Sequence, residues 1–108
     1  MELNEKQISR IAGYLGIARK AGQIAAGDNL TKDALQKGKA FMLVLAEDAA
    51  PSVREELTAM AEEQELPVLS WTDKIDLGLI IGKSRRGALA VLDKGFADAI
   101  NKVVQAEK

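Results

Sequence analysis

Hydrophobic residues recur along the chain in two alternating patterns, one at helical spacing and one in short continuous runs. A first helix is predicted to begin after a cap formed by Asn4 and Gln7. It ends at Ala21 and Gly22, because glycine allows a left-handed stop. Its apolar positions recur three and four residues apart, at Ile8, Ile11, Ala12, Leu15 and Ala18.

A strand, a helix and a second strand are predicted next. Residues 23–26 form a short strand, and a second helix begins at Asp28 or Asn29 and stops at Gly38. The buried stripe of this helix is predicted to be Leu30, Ala34 and Leu35. Residues 41–46 are a continuous apolar run, which is typical of a strand buried on both faces.

The second half of the chain repeats this alternation. Pro51 suits a first helical turn, and Ser52 with Glu55 supports a third helix that ends before Pro67. The later elements are a strand over residues 67–71, a helix capped by Thr72 or Asp73 and running through Ile81, a strand over residues 88–92 and a helix over residues 96–104. This order predicts an α/β fold, most simply an α/β/α sandwich, with one domain over residues 1–108.

The composition excludes several classes of function. The chain has no histidine and no cysteine, so most nucleophilic and metal-dependent catalysis lacks its usual side chains. Its 47% hydrophobic and 29% charged shares are those of a soluble globular protein. No apolar run approaches the roughly 18 residues of a membrane span, and the first residues lack a signal-peptide pattern. We therefore expect a cytoplasmic protein without membrane contact.

Charge is segregated along the chain. The formal net charge of −1 argues against a generic nucleic-acid coat, which is usually basic. However, bases outnumber acids over residues 1–39, acids dominate residues 47–76, and Lys83, Arg85 and Arg86 form a tight basic cluster. Such a dipolar surface can steer a polyanion to one end of the protein. The alternative is ordinary scattered surface charge.

The start of the second helix is the first candidate site. The free backbone N–H groups after Gly27 and the positive end of the helix dipole can receive a phosphate or the acceptor edge of a base. Asn29 and Lys32 lie three positions apart, so they project from one helix face and can reach the same ligand. The alternative is that Asp28 or Asn29 is only an N-cap.

The loop over residues 82–87 is the second candidate site. Its residues Lys83, Ser84, Arg85 and Arg86 can neutralise backbone phosphates, and arginine can also stack on bases. The alternative is a solvated basic turn between helix and strand. The loop is not a nucleotide-binding P-loop, because Gly78 lies one residue too close to Gly82 for that motif.

Two carboxylates provide the remaining catalytic hypothesis. Glu47 and Asp48 follow a buried strand, where acidic side chains can serve catalysis or ligand binding. The alternative is a solvated pair leading into the third helix, with Asp48 near the N-terminus of that helix. The sequence shows no third oxygen ligand for Mg²⁺ at a recognisable spacing from this pair, and it contains no complete cofactor-binding motif. We therefore expect no cofactor, no small-molecule substrate and no enzyme activity.

The order of these segments resembles the kink-turn-binding ribosomal-protein superfamily. This superfamily includes the L-seven-Ae and L-thirty-e proteins, and the chain is most similar to its bacterial YlxQ branch. The segments that carry the resemblance are Gly27-Asp-Asn-Leu-Thr-Lys, Leu43-Val-Leu-Ala-Glu-Asp, Leu66-Pro-Val, Leu77-Gly-Leu-Ile-Ile-Gly-Lys and Ala88-Leu-Ala-Val-Leu-Asp, with an opening Gly13-Tyr-Leu-Gly-Ile-Ala-Arg-Lys-Ala-Gly and a closing Asp93-Lys-Gly-Phe-Ala. They cover nearly the whole chain.

The resemblance implies an L-thirty-e-like fold, a three-layer α/β/α sandwich with a four-stranded mixed sheet. It also implies that the start of the second helix, with Gly27 and Asn29, enters the groove at sheared G·A pairs of a kinked RNA. The loop over residues 81–86 would lie near bulged nucleotides, and Glu47 would flank the same surface. The chain departs from good kink-turn readers at Leu30 and Asp33, where they have glutamate and lysine.

The sequence thus predicts a non-catalytic protein that recognises structured, kink-turn-like RNA. The residues predicted to contact RNA are Gly27, Asp28, Asn29, Lys32, Lys37, Lys39, Glu47, Lys83, Ser84, Arg85 and Arg86. Ribosomal RNA and ribosomal proteins are candidate partners. The alternative function is a protein-interaction module of the translation machinery that docks a basic partner through its acidic third helix.

Overall fold

A mixed sheet lies between two layers of helices. The computed structural model describes residues 2–106. The helices are α1 (Glu5–Lys20), α2 (Asp28–Gln36), α3 (Pro51–Glu63), α4 (Lys74–Ile80) and α5 (Lys94–Gln105). The strands are β1 (Ile24–Ala26), β2 (Met42–Leu45), β3 (Val68–Leu69) and β4 (Ala88–Val91).

The sheet has four strands in the order β1-β4-β2-β3. Strand β4 is antiparallel to both of its neighbours, whereas β2 and β3 run parallel. All residues of β2 and β4 are buried, as the continuous apolar run predicted for β2. Because β4 lies between β1 and β2, the loop that leads into β4 lies close to the ends of both neighbouring strands.

Alternate residues of the central strands belong to two separate hydrophobic clusters, because successive side chains of a strand point to opposite faces of the sheet. Met42 and Val44 pack with residues of α1, α4 and α5, whereas Leu43 and Leu45 pack with residues of α2 and α3. The two clusters therefore lie on opposite faces of the sheet. This arrangement confirms the predicted three-layer α/β/α sandwich with a four-stranded mixed sheet.

Two helix starts follow the predicted capping chemistry, and a third has a cap that was not predicted. Asn4 and Gln7 form a reciprocal capping box at α1, with Gln7 N donating to Asn4 Oδ1 at 2.8 Å. Asp73 caps α4, and Asp93 caps α5. The Asp93 carboxylate accepts the backbone N–H of Phe96 at 3.0 Å, so α5 begins at Lys94, two residues before the predicted start.

Helix α3 begins at Pro51 as predicted, but the expected capping pattern is absent, and the strand β3 is shorter than predicted. The helix α3 has Ala50 as its N-cap residue and shows no side-chain cap, because Ser52 lies inside the helix after Pro51. The strand predicted over residues 67–71 is reduced to Val68–Leu69. Within the described residues it is an edge strand next to β2, and the register joins Leu43 to Val68 and Val44 to Leu69.

Candidate functional site

The N-terminus of α2 is built on a glycine. Gly27 occupies the N-cap position with φ 103° and ψ 160°, a backbone conformation that side chains disfavour. Its own N–H donates to the carbonyl oxygen of Ala88 at 2.8 Å, which fastens the helix start to β4. No side chain caps this end of α2 within residues 2–106. The hypothesis that Asp28 or Asn29 is only an N-cap is therefore wrong, and the first-turn N–H groups remain open to a ligand.

The outward face of this first turn carries Asn29 and Leu30. Both side chains are exposed, and Leu30 retains 60% of its accessible surface. The prediction that Leu30 belongs to the buried stripe is wrong, whereas Ala34 and Leu35 are buried as predicted. The inward position is taken by Thr31, which is fully buried and donates its hydroxyl to the carbonyl oxygen of Ala25 at 3.3 Å.

Lys32 in α2 and Lys37, the C-cap residue of α2, each form an ion pair. Lys32 Nζ lies 2.8 Å from Glu56 Oε2 on α3, and Lys37 Nζ lies 3.2 Å from Asp33 Oδ2 one turn earlier on the same helix. Asp33 is thus held towards the C-terminal end of α2, away from Gly27. Lys39 is exposed beyond the helix, in no ion pair with the other residues in the range 2–106.

The basic loop folds back over the last turn of α4. Lys83 N donates to the Gly78 carbonyl oxygen at 2.8 Å. A Cβ atom added to Gly78 would overlap the Ser84 carbonyl oxygen and would lie 2.6 Å from the Ser84 carbonyl carbon. Only glycine therefore fits at this position. The loop is held by main-chain packing, while the side chains of Lys83, Ser84 and Arg85 are exposed.

Arg86 joins this loop to the start of α2. Its Nη1 donates to the Ser84 carbonyl oxygen at 3.2 Å, to Ser84 Oγ at 2.9 Å and to the Arg85 carbonyl oxygen at 3.0 Å. Its Cδ and Nε atoms lie 3.7 and 3.8 Å from the point that a Cβ of Gly27 would occupy. The two candidate segments, predicted separately, are thus neighbours on one surface.

Gly87 completes the junction, and sequence reasoning missed its role. A Cβ added there would lie 3.3 Å from Asp28 Oδ1 and 3.4 Å from the Cβ of Ala49. Asp28 is therefore folded back towards the start of β4. The signal was an isolated glycine at the edge of a predicted strand, which often marks a close approach of chain segments.

The carboxylates after β2 organise neighbouring loops. Asp48 Oδ1 accepts the N–H of Lys74 at 2.9 Å, so it supports the N-terminus of α4 and not that of α3. Glu47 is exposed, and its N–H donates to the Thr72 carbonyl oxygen at 2.7 Å. Within residues 2–106, no group of acidic side chains is arranged to hold a metal ion. Over the same residues, no helix is long and apolar enough to cross a bilayer.

The fold and this surface define a class of small α/β/α proteins that present an open helix N-terminus beside a basic loop. The sequence model of the ribosomal protein L7Ae/L30e/S12e/Gadd45 family matches residues 9–101. The chain belongs to this family, which confirms the resemblance drawn from its sequence segments. Membership of a ribosomal-protein family also supports the prediction of a protein without catalytic activity.

Individual relatives agree with this placement. The chain is 29% identical to the RNA-binding protein YlxQ of Bacillus subtilis, over 80% of this chain and 86% of that protein. It is 33% identical to the large ribosomal subunit protein eL30 of Methanosarcina mazei, over 77% and 79% of the two chains. It is similar in fold to the solved 15.5kD RNA binding protein of Giardia lamblia, with a TM-score of 0.81 at 19% identity over 96% of this chain and 89% of that chain.

Proposed function

We propose that this protein is a single-domain, cytoplasmic RNA-binding protein that recognises structured, kink-turn-like RNA. The observation that carries the proposal is the proximity of Arg86 to Gly27, because it brings the helix start and the basic loop together on one surface. The names of the relatives support the class of ligand, since YlxQ is called an RNA-binding protein and eL30 is a ribosomal protein.

The start of α2 supplies the groups that read the RNA. Its free N–H groups can donate to a phosphate or to the acceptor edge of a guanine, and the helix dipole favours the negative ligand. Gly27 lets the RNA approach the backbone closely. The exposed amide of Asn29 contacts a base edge, and the exposed Leu30 offers an apolar surface to a base or sugar.

The loop supplies charge. Lys83 and Arg85 are exposed and belong to no ion pair among residues 2–106, so they can bind phosphates directly. Ser84 Oγ accepts from Arg86, and its own hydroxyl proton remains available to a phosphate oxygen. Arg86 contributes mainly by fixing the conformation of the loop, since its Nη1 donates hydrogen bonds to Ser84 and to the Arg85 carbonyl oxygen.

The remaining predicted residues have weaker roles in this proposal. Lys32 and Lys37 attract phosphate less than free lysines do, because each is neutralised by a carboxylate. Lys39 adds general attraction from beyond the helix end. Glu47 flanks the surface, since the preceding residue Ala46 donates its N–H to the Gly87 carbonyl oxygen at 2.8 Å.

Amide chemical shifts measured during a titration with a kink-turn RNA test this proposal. The expected result is that the strongest perturbations cluster over residues 27–32 and 82–87. The exposed acidic face of α3 should shift little, and a matched titration with a straight RNA duplex controls for general electrostatics. Perturbations centred elsewhere, or none with the kinked RNA, would contradict the proposed surface.

A second candidate function is the docking of a basic protein partner on α3. The observation that favours it is a set of exposed carboxylates that form no ion pair within residues 2–106, namely Glu55, Glu62, Glu63 and Glu65. Capture of a ribosomal protein that survives nuclease treatment and is lost on reversing the charges of Glu62 and Glu63 would support this function.

A further inference from the structure

We infer that Glu56 is a specificity-determining residue, which lowers general polyanion binding by neutralising Lys32. This inference rests on the proposed function, and it concerns how the surface distinguishes one RNA from another. Glu56 lies on α3, outside every segment assigned above to RNA contact, and it acts through a lysine of α2.

The ion pair places a carboxylate beside Lys32, the fifth residue of α2. Lys32 Nζ and Glu56 Oε2 are 2.8 Å apart, and the two side chains keep 41% and 51% of their accessible surface. Lys32 follows Asn29 by three positions, so the two side chains share one face of the helix. The pair therefore lies within one helical turn of the residue proposed to read a base.

The acidic partner is held in place by the packing of α3 against α2. Gln64, the C-cap residue of α3, donates its side-chain Nε2 to the Leu35 carbonyl oxygen at 2.7 Å. Buried residues of both helices, including Leu35 and Leu57, share one hydrophobic cluster. This packing keeps the backbone of Glu56 opposite Lys32, within reach of an ion pair.

The other ion pair of α2 does not serve the same purpose. Asp33 and Lys37 lie on α2 itself, and Lys37 is the C-cap residue of α2, at the end opposite Gly27. Among the ion pairs of residues 2–106, the Lys32 pair alone adjoins the proposed reading surface. A phosphate brought there by a generic duplex meets a neutral pair and the acidic helix beyond it, whereas an RNA held by the helix start and loop does not depend on Lys32.

This arrangement raises specificity by weakening binding to the wrong ligand. Discrimination between two RNAs depends on the difference of their affinities, and it improves when general attraction is suppressed. Phosphate attraction is independent of sequence, and it grows with each lysine that can release counterions from the nucleic acid. A neutralised Lys32 therefore lowers binding to straight duplex more than binding to the RNA that fits the surface.

The test compares Glu56→Gln with Glu55→Gln on a straight RNA duplex and on a kink-turn RNA, over a series of salt concentrations. Glu55 is a matched control, because it is exposed, adjacent and outside any ion pair of residues 2–106. We expect Glu56→Gln to bind the duplex about two- to five-fold more tightly than the control variant, a factor typical of an exposed ion pair. Its salt slope should steepen by about one, as expected for one released lysine.

Lys32→Met supplies the decisive background. The tighter duplex binding of Glu56→Gln relative to Glu55→Gln should vanish when Lys32 is methionine. Glu56→Gln should lower the ratio of the affinity for kinked RNA to the affinity for straight duplex only when Lys32 is present. Equal effects of the two glutamine variants, or an advantage that survives in Lys32→Met, would overturn the inference. A wild-type protein that ignores kinked RNA would refute the proposed function instead, while the duplex comparison would still decide the role of Glu56.

Discussion

Gly78 fixes the basic loop, and replacing it with alanine should displace that loop. In Gly78→Ala, the new Cβ would overlap the Ser84 carbonyl oxygen and lie 3.0 Å from the Lys83 carbonyl oxygen. These are backbone atoms, so no side-chain rotation can relieve the overlap. The main chain over residues 83–84 must move, and the hydrogen bond from Lys83 N to the Gly78 carbonyl oxygen is weakened or lost.

Gly13 provides a matched control for this substitution. It also lies within a helix, α1, but a Cβ added there meets nothing within 4 Å. Glycine to alanine in an open helical position stabilises a protein by about 0.8 to 1 kcal/mol through helix propensity. At Gly78 the same gain is opposed by about 1 to 3 kcal/mol of overpacking and about 0.5 to 1.5 kcal/mol for the hydrogen bond.

These magnitudes predict opposite shifts of the unfolding temperature. With about 4 °C per kcal/mol for a domain near 100 residues, Gly13→Ala should melt about 3 to 4 °C higher than the wild type. Gly78→Ala should have a net loss of about 0.5 to 3.7 kcal/mol and melt about 2 to 15 °C lower. Thermal unfolding followed by circular dichroism measures both, and RNA affinity should fall for Gly78→Ala alone. A Gly78→Ala protein as stable as Gly13→Ala, with unchanged RNA affinity, would refute the loop packing described here.

Three further predictions concern base recognition by Asn29, phosphate binding by the basic loop, and support of α4 by Asp48. Asn29→Ala should weaken RNA binding by about 1 to 3 kcal/mol. It should change the free energy of unfolding by less than about 0.5 kcal/mol, because Gly27 and not Asn29 is the N-cap residue. Equal losses of binding and stability would make Asn29 a structural residue. Arg85→Ala should weaken binding and reduce the salt slope by about one, whereas adding Arg86→Ala should weaken binding further with little additional change of slope; an unchanged slope in the double variant would remove the loop from the site. Asp48→Ala should cost about 0.5 to 1.5 kcal/mol of stability in urea unfolding, since it loses the hydrogen bond from Lys74 N, and a neutral result would deny that support.

Much of the fold follows from short-range rules that the sequence states directly. The cap of α1 needs only Asn4 and Gln7, and the cap of α4 needs only Asp73, because each partner lies within one turn. The buried strand β2 is legible as an uninterrupted apolar run. The family resemblance implied a four-stranded mixed sheet, but the strand order was not predicted, since residue spacing alone does not determine which strands are neighbours.

The candidate site was harder to predict, because it depends on contacts between distant segments. Leu30 has helical spacing with the buried stripe, but Thr31 faces the sheet and leaves Leu30 exposed. The pairing of Lys32 with Glu56 joins two helices whose relative packing no local pattern encodes. The capping pattern of Ser52 and Glu55 was misleading, since Pro51 already occupies the first turn of α3.

The loop illustrates the same limit. Its basic residues were predicted from their charge, but Arg86 lies near Gly27, a residue almost 60 positions away in the sequence. Gly78 and Gly87 have no charge or polarity that marks them as part of a site. Their importance lies in the space that a missing Cβ leaves for neighbouring chain segments.

The central claim is that this surface recognises kinked RNA. Its most direct test is a titration of the purified protein against a kink-turn RNA and a straight duplex of matched length, each at two salt concentrations. We expect tight binding to the kinked RNA and weaker, more salt-sensitive binding to the straight duplex. Equal affinities for the two RNAs with the same salt dependence would contradict the claim, because they would indicate a basic surface that attracts phosphate without reading shape.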